Sequence, residues 1–230
     1  MRKSCLIYVF CILFIESLLS QELPPKKMPR LIDFGLEIGW LSNSSRLYHV
    51  FYQDQDLSDI VVKNKVGYEA SVFFRLKAAN LFVQPMLSLS QTRESIQFSI
   101  PQDKDVLQRV ELDLATNALN FSFLAGYNII YEQQHLFNLY AGPNIEYVFS
   151  TQYKSPSALI FETHIHTSSI QGIVGISASS NRLLLDFRYR FGFSKKEMNL
   201  SKELGAPDYL TDVKFKKRDN IVSVSVGFLF

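Results

Sequence analysis

The sequence predicts an all-β fold, an eight-stranded antiparallel up-and-down transmembrane β-barrel, and three observations predict it. Apolar and polar residues alternate with period two along eight segments, charges keep to one parity of those segments, and long connections alternate with short ones. The chain has 230 residues, 47% of them hydrophobic, with 24 Lys+Arg against 22 Asp+Glu. Such a composition suits one folded domain and excludes disorder, collagen-like repeats and a helical multispan protein. The near-balanced charge leaves no electrostatic footprint for nucleic acid, which is therefore not an expected partner.

Residues 1–20 read as an export signal. Arg2 and Lys3 precede an apolar run from Cys5 to Ile15, which as a helix rises only about 16 Å, roughly half of a bilayer core. Both cysteines, Cys5 and Cys11, lie in this leader, so the mature chain has none and must be stabilised by a core or a membrane rather than by disulfides. Cys11 does not read as a lipid-attachment site, because the apolar stretch continues past it without a preceding small-residue cleavage signal. Residues 21–31, with Pro24, Pro25 and Pro29, read as an extended periplasmic stub, and residues 32–230 as the barrel domain.

The strands follow in order. Asp33 to Trp40 alternates Phe34, Leu36, Ile38 and Trp40 with Asp33, Gly35, Glu37 and Gly39. This is the period of a strand. The pattern returns in Gly67 to Lys77, Phe82 to Ser90, Asn120 to Asn128, Phe137 to Phe149, Ser169 to Ala178, Leu183 to Phe193 and Asn220 to Phe230. Most of these segments are longer than the five or six residues typical of soluble strands and suit a tilted crossing of about 25 Å. After the leader no apolar run approaches the roughly 20 residues of a membrane helix.

Parity separates two faces. The bulky apolar parity carries no charge, while the opposite parity holds Asp33, Glu37, Glu69, Arg75, Lys77, Glu146, Asp186, Arg188 and Arg190. A basic residue facing lipid at mid-bilayer costs about 2–4 kcal/mol, so a membrane enforces this sorting. A soluble barrel also alternates, with its apolar face inward, and glycine decides between the two. Gly35, Gly39, Gly67, Gly126, Gly142, Gly175, Gly192 and Gly227 share the charged parity, and Gly172 alone among the strand glycines does not. On a solvent-exposed face they would weaken the strands for no return, whereas inside a narrow barrel they make room for large side chains. The charged set is expected to form a salt-bridged structural plug of the lumen, with a small-solute path as the alternative.

Connections give the orientation. Residues 43–66, 91–119, 150–168 and 194–219 are long connections, and 78–81, 129–136 and 179–182 are short ones. Outer-membrane barrels have short periplasmic turns and long external loops, which places both termini in the periplasm. Ile96 to Ile100 and Val110 to Leu114 alternate too, so the second long connection is expected to extend its hairpin above the membrane.

The segments FVQPMLSLSQ, YAGPNIEYVF, LDFRYRFGF and the terminal VSVSVGFLF resemble the PorT-like outer-membrane β-barrel family of Bacteroidota, and more loosely the small OmpA/OmpX-type barrels. The resemblance covers most of the mature chain and implies an outer-membrane location. It implies no single activity, with an accessory place in secretion or gliding machinery as a narrower option. The terminal Phe230, with Phe228 at the same parity, is similar to the sorting signature read by the outer-membrane assembly machinery. Pro85 and Pro143 lie inside strands and read as bulges or strand ends.

Candidate chemistry is sparse. His164, His166 and Ser168 alternate and extrapolate to the lipid parity of Ile170, where a His166–Ser168 pair would support a deacylase-like hydrolysis of membrane lipid. That reading needs an orienting carboxylate, for which Glu162 has only parity to recommend it, and a polar external hairpin is the plainer account. The same histidines could hold a metal, but two ligands at alternate positions without a third are a weak signal. His49 and His135 read as isolated loop residues, and no nucleotide-binding loop or nucleophile elbow occurs. Trp40, Tyr68, Tyr127, Tyr147, Tyr189 and Phe230 read as interfacial girdle residues. The lysine-rich stretches 195–205 and 213–219 face external solvent or lipopolysaccharide phosphates. The expectation is a non-catalytic outer-membrane barrel without cofactor or metal. Its four long external loops serve surface interaction, adhesion or support of an envelope or secretion complex. Its partners are outer-membrane lipid and lipopolysaccharide, the assembly machinery and envelope proteins. A lipid-modifying hydrolase, a small-solute channel and a soluble ligand-holding barrel are the alternatives.

Overall fold

The computed structural model describes residues 31–44, 46–52, 55–56, 61–103, 106–131, 135–154, 160–163, 167–193, 196–200 and 213–230. The expected signal at 1–20 and nearly all of the stub lie outside these residues. In chain order the strands are β1 (Ile32–Asn43), β2 (Arg46–Tyr52), β3 (Gln55–Asp56), β4 (Val61–Ala78), β5 (Leu81–Asp103), β6 (Val106–Tyr131), β7 (His135–Lys154), β8 (Ile160–Thr163), β9 (Thr167–Ser180), β10 (Leu183–Gly192), β11 (Lys196–Leu200), β12 (Val213–Arg218) and β13 (Asn220–Leu229).

Eight of them close a barrel. β1, β4, β5, β6, β7, β9, β10 and β13 pair antiparallel in that order, and β13 returns to β1 from Gly35↔Leu229 to Asn43↔Ile221. β8 adds only a short edge to β7. The alternation read from the sequence becomes alternation of burial, unbroken along β1 from Ile32 outward to Asn43 inward. Outward Phe34, Trp40, Leu89 and Ile145 are exposed, while inward Phe73, Leu124, Asn120 and Arg75 are shut off from solvent. An exposed apolar wall around a polar, filled interior inverts the soluble arrangement and fits lipid.

The narrow bore is built from glycines paired with rings. Gly35 lies opposite Phe73, Gly126 opposite Phe82, and Gly175 opposite Tyr140. A Cβ at any of these glycines would fall 2.2–2.4 Å from the partner ring. Gly172 repeats the device on the outer wall, where the ring of Phe191 fills the Cβ position. Each ring covers the backbone of a neighbouring glycine, which keeps the ladder shielded and lets the wall curve.

The prolines differ from the bulge or strand-end reading. Register is unchanged across Pro85, where β4–β5 pairing passes from Phe73↔Met86 to Leu76↔Val83 and β5–β6 pairing continues through Pro85↔Phe123. Pro143 likewise sits in mid-strand opposite Gly172. A missing N–H interrupts the ladder on one edge while the other edge holds the strand.

On the short-turn side, β4–β5 and β9–β10 are joined by two-residue turns whose first residues, Ala79 (φ 52°) and Asn181 (φ 55°), are left-handed. The opposite side is more built than the sequence suggests. β5 and β6 run to 23 and 26 residues, so the second long connection does extend its hairpin. The first and fourth connections are not bare loops, because β11, β12, β2 and β3 form a second sheet in that order. It continues the barrel seam: Asn43↔Ile221 leads to Arg46↔Arg218 and Leu47↔Lys217 without a change of register. His49 is therefore a strand residue opposite Lys216, and His135 opens β7 opposite Ser180, which corrects their reading as loop residues.

Gly142 tests the packing. A Cβ there would lie 2.1 Å from the Phe123 carbonyl oxygen, backbone that cannot swing away. Gly142→Ala is expected to cost about 1–3 kcal/mol, read as a lower urea midpoint in detergent micelles. Gly172→Ala, whose obstacle is a ring free to turn into lipid, gives a smaller loss.

Candidate functional site: the lumen network and the external extension

All of the charged residues that parity assigns to the interior are buried there. The guanidinium of Arg188, on β10, is the hub. Its Nε donates to Asp186 Oδ1 at 2.6 Å, its Nη2 pairs with Glu37, and its Nη1 lies 3.4 Å from Glu69 Oε1. Glu37 is on β1 and Glu69 on β4, so one side chain ties three walls of the barrel across the bore. Tyr140 donates to the second oxygen of Asp186 at 2.6 Å, and Arg190 pairs with Glu69 Oε2 at 2.6 Å. Every carboxylate in this group meets a cation or a hydroxyl, as buried charge requires.

Two smaller clusters lie above and below. Near the short turns Lys77 pairs with Asp33 at 2.5 Å, and Arg75 donates to Gln84 at 2.7 Å with its guanidinium 4.7 Å from the centre of the Phe82 ring. Toward the external side Ser169 donates to Glu146, and Asn120, Asn144 and Gln171 form a chain of amide hydrogen bonds. Phe73, Phe82, Met86, Leu124, Tyr140, Ile173, Leu184 and Leu229 pack into one apolar cluster between the polar groups. In an eight-stranded barrel the interior is just wide enough for side chains, and here they fill it.

One buried acid stands outside the set that parity assigns. Glu94 falls in the long connection 91–119 of the sequence, yet it is 3% exposed and accepts from Asn43 Nδ2 at 3.2 Å. Extending the inward parity of Met86, Ser88 and Ser90 along β5 would have found it.

The remaining candidates separate. Phe228 and Phe230 both lie on the outer wall with ring centres 5.2 Å apart, and the Phe230 N–H donates to the Phe34 carbonyl. Ser168 is an outward residue of β9 opposite Tyr147, whereas His164 and His166 lie outside the described residues. The Glu162 backbone pairs with Gln152. Among the described residues no cluster of His, Cys, Asp or Glu is placed to hold a metal.

Beyond the apolar band the hairpin of β5 and β6 carries its own polar chemistry. Gln97 and Ser95 hydrogen-bond Glu111 and hold its carboxyl below the usual carboxylate range. Lys65 pairs with Asp113 at 2.7 Å on the exposed surface.

A closed barrel with a lipid-facing wall, a packed charged lumen and long strands on one side defines a small outer-membrane β-barrel. The chain belongs to the family of the outer membrane protein beta-barrel domain, whose sequence profile matches residues 20–196. The structure shows that the fold continues past that match to β13, which closes it. Among solved structures the barrel is similar to OprG from Pseudomonas aeruginosa, at 12% identity and TM-score 0.52 over 88% of this chain and 97% of that one. It is also similar to AlkL determined in lipid bilayers, at 14% identity and TM-score 0.51 over 92% of this chain and 96% of that one. These likenesses establish the fold. No curated protein matches the sequence.

Removing the hub tests the network. Arg188→Met leaves Glu37, Asp186 and Glu69 without their shared cation and is expected to cost about 3–5 kcal/mol, read from urea midpoints in micelles. Adding Glu37→Gln and Asp186→Asn to that variant recovers much of the loss.

Proposed function

We propose that this protein is a non-catalytic surface scaffold of the outer membrane, whose function lies in the structure that it raises outside the bilayer. The observation that carries this reading is strand length. β5 and β6 have 23 and 26 residues, whereas about 9–11 suffice to cross a membrane. The surplus is hydrogen-bonded hairpin, and the seam adds the sheet of β2, β3, β11 and β12 beside it. A rigid platform of this kind holds recognition surfaces at a fixed height, as loops on a barrel commonly do. The filled lumen supports a scaffold over a diffusion pore.

Partners of this platform are surface molecules or envelope proteins. The resemblance to the PorT-like family favours support of an envelope or secretion complex as the narrower form of the reading.

The test replaces residues 96–112 by a two-residue turn between the partners Ser95 and Asp113, which removes the external hairpin and leaves the membrane-crossing part. The shortened protein is expected to keep heat-modifiable gel mobility and to lose the products formed by surface cross-linking on intact cells, with neither form conducting in planar bilayers. Unchanged cross-linked products, or discrete conductance steps from the full chain, would overturn the proposal.

A further inference from the structure

The outer wall carries a groove of about 520 Å³ at the external end of β1, β4 and β5. Trp40 and Tyr68, directly paired across β1 and β4, form one side, and Leu89 and Phe149 the other, with the small Ala70 between them. Trp40, Tyr68 and Leu89 are each more than half exposed, on the face that meets lipid. Hydrocarbon is what such a depression takes up in a membrane, and paired amphipathic rings mark headgroup depth.

The upper end of the groove is polar and ordered. Gln91 donates to Asn117 at 3.0 Å and accepts from Arg93 Nε and Nη2 at 3.0 and 2.6 Å. The Arg93 guanidinium lies 5.7 Å from the centre of the Tyr68 ring. Gln91 and Tyr68 therefore fix the orientation of the guanidinium, and its remaining donors have no protein partner among the described residues.

A bulge brings two more cations to this level. Below it the outward residues of β4 are Tyr68 and Ala70; between Lys65 and Tyr68 the register against β5 shifts, and above it Lys65 stands opposite the outward Arg93. Without the shift Lys65 would share the inward parity of Gly67. Gly67 makes the bulge possible, since a Cβ there would lie 2.1 Å from the Gln91 carbonyl oxygen. Lys63 follows two residues further along and is exposed. Lys65 is taken by Asp113 and Lys63 lies near enough to Glu111 to help hold its carboxyl down, so among the described residues Arg93 carries the spare donors at this level and Lys63 adds a second positive charge. Bulges re-aim side chains, and this one does so just above the aromatic belt.

We propose that this surface binds a phosphate-bearing glycolipid of the outer leaflet, with an acyl chain in the groove against Trp40 and the headgroup phosphates on Arg93 and Lys63. A planar guanidinium offers phosphate two parallel hydrogen bonds, and Lys63, two residues beyond Lys65 on β4, adds positive charge for a second phosphate of a broad sugar headgroup. The groove opens on the side of the long connections, which is the leaflet where such lipid resides.

Trp40 is the single tryptophan of the sequence and lines the groove, so its fluorescence reports occupancy. The full barrel is reconstituted in phosphatidylcholine vesicles doped with lipids carrying brominated acyl chains, which quench a tryptophan in contact. Diphosphoryl lipid A is expected to half-quench Trp40 at a mole fraction at least tenfold lower than brominated phosphatidylglycerol or dephosphorylated lipid A. Arg93→Glu with Lys63→Glu raises that fraction about tenfold while quenching by brominated phosphatidylcholine stays the same, which also shows that the barrel is intact. The milder Arg93→Gln serves if the double variant does not fold, with a several-fold rise expected. Equal quenching by lipid A with and without phosphate, equal quenching by phosphatidylglycerol, or variants indistinguishable from the parent would each overturn the proposal.

Discussion

Closure of β13 onto β1 is the constraint on which the other features rest. In hydrocarbon an unpaired N–H or carbonyl costs several kcal/mol, and an open sheet would leave two whole edges of them. The nine Cα pairs from Gly35↔Leu229 to Asn43↔Ile221 remove those edges. Eight strands closed in this way leave room for side chains and little else. The circumference thus decides the contents of the lumen, and the lumen decides where glycine, aromatic and charged residues stand.

Inside so narrow a bore, large and absent side chains have to alternate between neighbouring strands. The pairs of Phe73 with Gly35, Phe82 with Gly126 and Tyr140 with Gly175 meet that demand. Charge follows a related logic. A buried ion pair adds little net stability over a packed apolar pair, because desolvation offsets the attraction. The Arg188 hub instead fixes which strands meet, since Glu37 of β1 and Glu69 of β4 reach it only in this register. Pro85 and Pro143 are tolerated for the same reason: register is set by packing on both faces, so the loss of a local ladder bond does not shift it.

The sequence made the membrane-crossing part legible because lipid on one side and a packed lumen on the other force every residue to declare a face. Phe34, Glu37 and Arg188 fall where parity puts them. Outside the membrane that forcing ends. Glu94, Ser95, Ile96 and Gln97 are four consecutive buried residues of β5, so the period of two disappears although the strand continues. In the second sheet a shift between Lys216 and Lys217 breaks the alternation of β12 against β2, and a run of lysines reads as a loop. The bulge at Lys65 hides in the same way: in the sequence the connection ends at Val66 and the strand starts at Gly67, whereas both lie inside β4. The lumen charges were therefore readable one residue at a time, whereas their partners and the groove beside Arg93 depend on register, which alternation alone does not specify.

Seam closure is tested most directly by introducing Ser42→Cys with Val222→Cys into the protein, whose sequence has no cysteine after Cys11. These residues are cross-strand partners of β1 and β13, at the spacing of adjacent strands that a disulfide bridges. Oxidation in isolated outer membranes is expected to give an intramolecular bond, seen as a reducible mobility shift of the monomer, that Ser42→Cys with Ser223→Cys, pointing to opposite faces, does not give. A free pair of thiols in the first variant, or cross-linking only between molecules, would contradict the closed barrel.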